Sequence, residues 1–142
     1  MTTSRASAVW EGKLKDGKGS FKAGSGAFQA DYSFRTRFEG APGSTPEELM
    51  AAAHAACLSM ALSVGLEQAG TPATRIETTA ACTIDKVADG FKITTMDLKV
   101  RGKVAGIDQA KFQQAAEAAK NGCPVSGALK GNVQMKLDAK LE

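Results

Sequence analysis

The chain has 142 residues, with 18 Lys and Arg against 15 Asp and Glu, giving a formal charge of +3. That length suits one domain spanning residues 1–142. Hydrophobic residues make up 43% of it, but 25 are Ala and only 26 are Leu, Ile, Val or Phe. The fold must be close-packed around a lean core, a condition that favours association with a second copy. Mixed charge, one Trp and one Tyr supply neither the basic stripe nor the stacking rings of a nucleic-acid binder. Residues 1–9 hold no apolar leader segment. The apolar stretch Leu49–Leu66 is mostly Ala and is broken by His54, Ser59, Ser63 and Gly65, which argues against a membrane span. These readings predict a cytoplasmic protein with no membrane partner. Three cysteines with one His and no CxxC make a metal site improbable and leave catalytic thiols as the alternative to core packing.

The first third reads as strands. Asp16-Gly17 is a hairpin signal between Ala6–Lys15 and a strand beginning near Gly19. From Phe28 to Phe38 apolar and polar residues alternate, predicting a half-buried antiparallel strand with Arg35 and Arg37 on its polar side. Thr45, Pro46 and Glu48 then form a helix start, with a capping residue, proline at the first position and a capping-box acid. This helix is expected to run to about Ala69, stop at Gly70, and lie buried at the centre, since apolar residues cover nearly all its sides.

Two strands follow, Ile76–Val87 and the segment after Asp89-Gly90, with a slip of phase near Thr94-Thr95 that predicts a bulge. Asp108 caps a helix from Gln109 to Asn121, Cys123-Pro124 opens a short helix to about Leu129, and alternation from Val133 to Leu141 gives a last strand. The order β-β-β-α-β-β-α-α-β with antiparallel hairpins is an α+β fold.

Cys57 lies on the long helix, where a free thiol ordinarily serves as a small hydrophobe. Cys123 takes the cap position of the short helix, where free N–H groups favour a thiolate. Cys82 shares a strand face with Ala80 and Ile84 and reads as core. Two thiols outside staple spacing suggest a redox pair whose attacking sulfur needs a cation or donor beside it, for which Arg37 and His54 are candidates. Glu47 precedes Cys57 by ten residues, roughly 15 Å of rise and about 80° of rotation on one helix. It is either a first-turn acid complementing the helix dipole or a site residue for a second chain.

The segments TRFEG (36–40), TPEEL (45–49) with AAHAAC (52–57), and NGCPVS (121–126), together with AVWEG (8–12), occur in order along essentially the whole chain. Their combination resembles the OsmC/Ohr family of thiol-dependent peroxidases, the OsmC branch more than the Ohr branch. The resemblance implies an OsmC-like α+β fold, antiparallel sheets wrapped around long central helices in an intimate homodimer. It implies catalytic roles for four residues. Cys57 would attack the peroxide and Cys123 would resolve it, Arg37 would bind thiolate and peroxide, and Glu47 would orient that arginine across the dimer. The implied reaction reduces organic hydroperoxides in preference to hydrogen peroxide. It needs no bound cofactor, and an external dithiol of the lipoyl type regenerates the thiols. The alternatives are a thiol–disulfide redox sensor and a non-enzymatic dimeric binder of hydrophobic ligands.

Overall fold

The structure, a computed structural model, describes residues 1–142 and divides into two compact units, Met1–Pro46 and Glu47–Glu142.

In the first unit, strands β1 (Ala6–Glu11), β2 (Lys18–Ala23) and β3 (Gln29–Tyr32) form an antiparallel sheet in that order. Asp16-Gly17 lies in a longer connection than a two-residue hairpin, because pairing stops at Glu11↔Lys18. Gly19 faces the rings of Trp10 and Tyr32, and a Cβ there would collide with both; the missing side chain is what lets those rings cross the sheet. Phe21 is buried and packs at a tilt against Tyr32, ring centres 5.5 Å apart.

The predicted strand to Phe38 is corrected here: it ends at Tyr32, and Phe34–Phe38 is a short helix, α1. The cause is a reciprocal cap. Ser33 Oγ accepts from the Thr36 N–H at 3.2 Å while Thr36 Oγ1 accepts from the Ser33 N–H at 2.9 Å, two orphan donors satisfied together. Helical spacing also stacks Phe34 on Phe38, centroids 5.0 Å apart, and pairs Arg35 with Glu39 at 3.4 Å. Arg35 and Arg37, two residues apart, therefore diverge by about 200° instead of sharing a side.

The second unit begins with helix α2, Pro46–Gln68, as predicted from Pro46 and Gly70. Its end is a paired-bond cap: the Gly70 N–H reaches Glu67 O at 3.0 Å and the Thr71 N–H reaches Leu66 O at 2.9 Å, with Gly70 at φ 81°. Only glycine takes that conformation cheaply. Burial along α2 departs from expectation. Ala51, His54, Leu58, Leu62 and Leu66 form one buried stripe, whereas Met60 is 73% and Val64 47% exposed. By length and apolarity the helix does meet the requirement for a membrane crossing, contrary to the sequence argument. Its most apolar window has a mean hydropathy of 1.7, of which 22% is buried within the chain. The buried stripe packs into the core, and the opposite face has no cover from its own unit.

Strands β4 (Ala73–Val87) and β5 (Gly90–Val104) form a long hairpin. Its register jumps between Thr83↔Thr95 and Ile84↔Ile93, leaving Thr94 as the bulged residue close to where the phase slip predicted it. Helix α3 (Gln109–Gly122), capped by Asp108, and helix α4 (Pro124–Leu129) lead to strand β6 (Gln134–Leu141). β6 pairs with β5 in parallel, so the second sheet is mixed and the expectation of antiparallel sheets holds only for the first. The chain crosses over through α3 and α4 before returning, which is what a parallel neighbour requires. Leu58 and Leu62 of α2, Met96 and Leu98 of β5, and Phe112 and Ala116 of α3 meet in one core. Gly102 on β5 lies under the Phe112 ring and has no room for a Cβ.

Candidate active site

Two of the four predicted site residues meet within the second unit. Cys57, in the middle of α2, and Cys123 place their sulfurs 2.8 Å apart, both as free thiols. Cys123 is positioned by backbone on both sides. Its N–H bonds Ala119 O at 2.8 Å, ending α3, and its carbonyl accepts from Gly127 N at 3.0 Å, starting α4. Pro124 at the first position of α4 lacks an N–H that would otherwise need a partner.

The two thiols differ in access. Cys123 is 1% exposed. Cys57 is half-buried and opens into an apolar groove of about 1000 Å³ between α2 and α3, walled by Met60, Val64, Ala115 and Ala118. They differ in charge preference as well. Burial pushes the Cys57 thiol up, its Cys123 neighbour adds to this, and the Val125 amide only partly opposes it. Burial works against a Cys123 anion too, but hydrogen bonds from Cys57, from the amide and hydroxyl of Ser126 and from the Val125 amide outweigh it, drawing that thiol below its ordinary value.

His54, one turn before Cys57, is fully buried, with Nε2 2.7 Å from Ser126 Oγ and Nδ1 without a partner. Burial lowers its pKa. Ser126 carried no role in the sequence reading; only the C-P-x-S spacing, which places a hydroxyl three residues after a cap cysteine, pointed toward it. Glu47 is 5% exposed in the first turn of α2. Its charge acts on Cys82, whose thiol is raised first by burial and then by that carboxylate. Cys82 packs against the core, as expected. Glu47 and Cys57 lie on one uninterrupted helix, so the roughly 15 Å between them stands. Arg37 belongs to the first unit, on α1, half-buried and with its guanidinium 5.4 Å from the Phe38 ring centre. No three His, Cys, Asp or Glu side chains are arranged to hold a metal ion.

The sequence profile of the family described as "OsmC-like protein" matches residues 39–138. The chain is 48% identical to Peroxiredoxin OsmC of Escherichia coli over 137 residues, 96% of each protein. It is 40% identical over 103 residues to the organic hydroperoxide resistance protein OhrB of Bacillus subtilis, covering 72% of this chain and 74% of that one. The crystal structure of OhrB superposes with a TM-score of 0.73 at 27% identity, covering 96% of this chain and 98% of that one. An organic hydroperoxide resistance protein OsmC from Legionella pneumophila superposes with a TM-score of 0.77 at 23% identity, over 99% and 98% of the two chains. The α+β architecture, the family match across most of the chain and the two relatives agree: this chain belongs to the OsmC-like family.

Proposed function

We infer that this chain is a peroxiredoxin-like hydroperoxide reductase serving oxidative or osmotic stress defence. The observation that carries this reading is the free Cys57–Cys123 pair, 2.8 Å between sulfurs, with one member opening into an apolar groove.

Cys57 thiolate attacks the O–O bond, releasing alcohol and becoming a sulfenic acid. The Cys123 thiol condenses with it, water leaves, and a disulfide forms. An external dithiol, of the lipoyl type expected for the family, returns both thiols. This order requires the negative charge on Cys57, whose thiol burial pushes up. Arg37 is proposed to supply the missing cation: its planar, permanently charged fork can hold a sulfur and a peroxide oxygen together. Glu47 is proposed to orient Arg37 of a second chain. The helical separation of Glu47 from Cys57 and the exposed residues Ala52, Ala53 and Ala56 of α2, outside the groove, both support a homodimer built on that helix. The two units are proposed to act as a single OsmC-like domain, supported by a family match that crosses their boundary. The apolar groove supports organic hydroperoxides over hydrogen peroxide as substrates, and three reduced thiols support a cytoplasmic setting.

Thiol titration of the reduced protein before and after one equivalent of cumene hydroperoxide tests the reading. Loss of two thiols per chain is expected. No loss would leave a non-enzymatic binder of hydrophobic ligands as the better description of the same groove.

A further inference from the structure

The contact between His54 and Ser126 joins α2 to α4 directly behind the cysteine pair, at 2.7 Å and with both side chains buried. The peroxide step proposed above makes no use of it. A neutral imidazole carries one N–H. On Nδ1 that proton would be a buried donor without an acceptor, because Nδ1 has no partner. On Nε2 it bonds Ser126 Oγ and leaves at Nδ1 only an unfilled lone pair, the less costly orphan. Donation from His54 Nε2 to Ser126 Oγ occupies the serine as acceptor and turns its own O–H outward. Ser126 stands three residues after Cys123, the cap of α4, where an outward hydroxyl is placed to favour a thiolate at Cys123, giving a chain of donors from His54 through Ser126 toward the Cys123 sulfur.

We propose that His54 and Ser126 are positioning residues that make Cys123 the leaving thiolate when a dithiol reopens the Cys57–Cys123 disulfide, so that the reductant attacks Cys57. This rests on the two-cysteine reading above. Access sets the direction of attack, because Cys57 lines the groove while Cys123 is 1% exposed beneath α4. Chemistry agrees, since exchange is faster when the departing sulfur is the better-stabilised thiolate. In the step, one thiolate of the dithiol forms a bond to Cys57 Sγ. The disulfide breaks and its electron pair leaves on Cys123 Sγ, and the Ser126 hydroxyl donates a hydrogen bond to the new thiolate. The second thiol of the reductant then displaces Cys57. The dithiol ends as a disulfide, Cys57 and Cys123 end as thiols, and the two protons come from the dithiol.

The test uses the full-length protein oxidised with diamide, so that it does not depend on peroxide chemistry; a separate arm follows consumption of cumene hydroperoxide by the reduced protein. With dihydrolipoamide as probe, Ser126→Ala should be reduced about fivefold more slowly or worse, while the reduced variant consumes its first equivalent of cumene hydroperoxide no more slowly than wild type, since a weaker hold on a Cys123 anion cannot disfavour one on Cys57. Ser126→Thr, which keeps the hydroxyl, should recover most of the rate, and His54→Leu should follow Ser126→Ala. Equal slowing of both arms would mean a structural role and overturn the proposal. A wild-type measurement needs no variant: oxidised protein treated with the monothiol 2-mercaptoethanol should carry the adduct on Cys57, located by peptide mass spectrometry. An adduct on Cys123 would overturn the proposal even if the peroxide arm succeeds. Failure of the peroxide arm alone counts against the peroxidase reading.

Discussion

Cys57 on α2 and Cys123 between α3 and α4 bring their sulfurs to 2.8 Å although 66 positions separate them in sequence. The bond they would share is about 2.05 Å long, so the sulfurs need approach by less than about 1 Å to form it. Cys57→Ser should abolish hydroperoxide consumption. Cys123→Ser should still allow one oxidation, leaving a sulfenic acid that dimedone traps and mass spectrometry detects. Cys82→Ser should retain activity, because that thiol packs against the core. Full turnover by Cys57→Ser would reverse the assignment of roles.

The groove wall predicts selectivity. Alkyl and aryl hydroperoxides bury apolar surface against Met60, Val64 and Ala118, and hydrogen peroxide has none to bury. With a lipoyl dithiol in excess, kcat/KM should be at least about tenfold higher for cumene hydroperoxide. Met60→Lys should narrow that ratio mainly through the organic substrate. Equal values for both peroxides in the wild type would remove the groove from the account.

Glu47 offers a test of the shared site. If Glu47 orients Arg37 of a second chain, as proposed, Glu47→Ala should lower kcat/KM by about tenfold or more. Mixed dimers of Cys57→Ser and Glu47→Ala chains should then regain part of the activity. One site would carry both lesions and the other neither. If mixed dimers of confirmed composition gain nothing over the parents, Glu47 is a first-turn acid serving its own helix.

Local signals in the sequence located much of this fold. Pro46 and Gly70 bracketed α2, Asp108 and Pro124 marked the next two helix starts, and the phase change near Thr94 disclosed a bulge. The short helix α1 escaped because Phe34, Thr36 and Phe38 also alternate as a strand would, and the Ser33–Thr36 cap decides between the two. Parallel pairing of β6 escaped because it depends on a crossover, which leaves no trace in alternation. At the site, Cys57 and Cys123 were legible as a suggested redox pair, and their separate roles came through resemblance. His54 and Ser126, 72 positions apart, could not be joined by any local pattern.

Packing sets the stability predictions. Leu62 on α2 is fully buried, and Leu62→Ala should cost about 2–5 kcal/mol in chemical denaturation. Gly102→Ala should cost about 1–3 kcal/mol by pushing the Phe112 ring off β5. A neutral result for Gly102→Ala would mean that this ring moves freely.

Acid sensitivity should trace in part to His54. Burial holds its pKa below the ordinary 6.5, so the unfolded chain takes up a proton that the folded chain resists. Stability is therefore complete above about pH 6.5 and is lost as pH falls below it. Tm should drop between about pH 7 and about pH 5, and less steeply in His54→Gln. Identical slopes would place the loss at a group other than His54.

The double anchoring of Cys123 has a mechanical consequence. Its N–H closes one helix on Ala119 and its carbonyl opens the next toward Gly127, so the backbone at this point belongs to two helices at once and has little freedom to translate. Making and breaking the disulfide then becomes a matter of side-chain torsion, with no segment melting and re-forming in each cycle. Amides from Ala119 to Gly127 should exchange with deuterium at nearly the same rate in the oxidised and reduced proteins. Turnover is freed from the delay of local refolding at this junction.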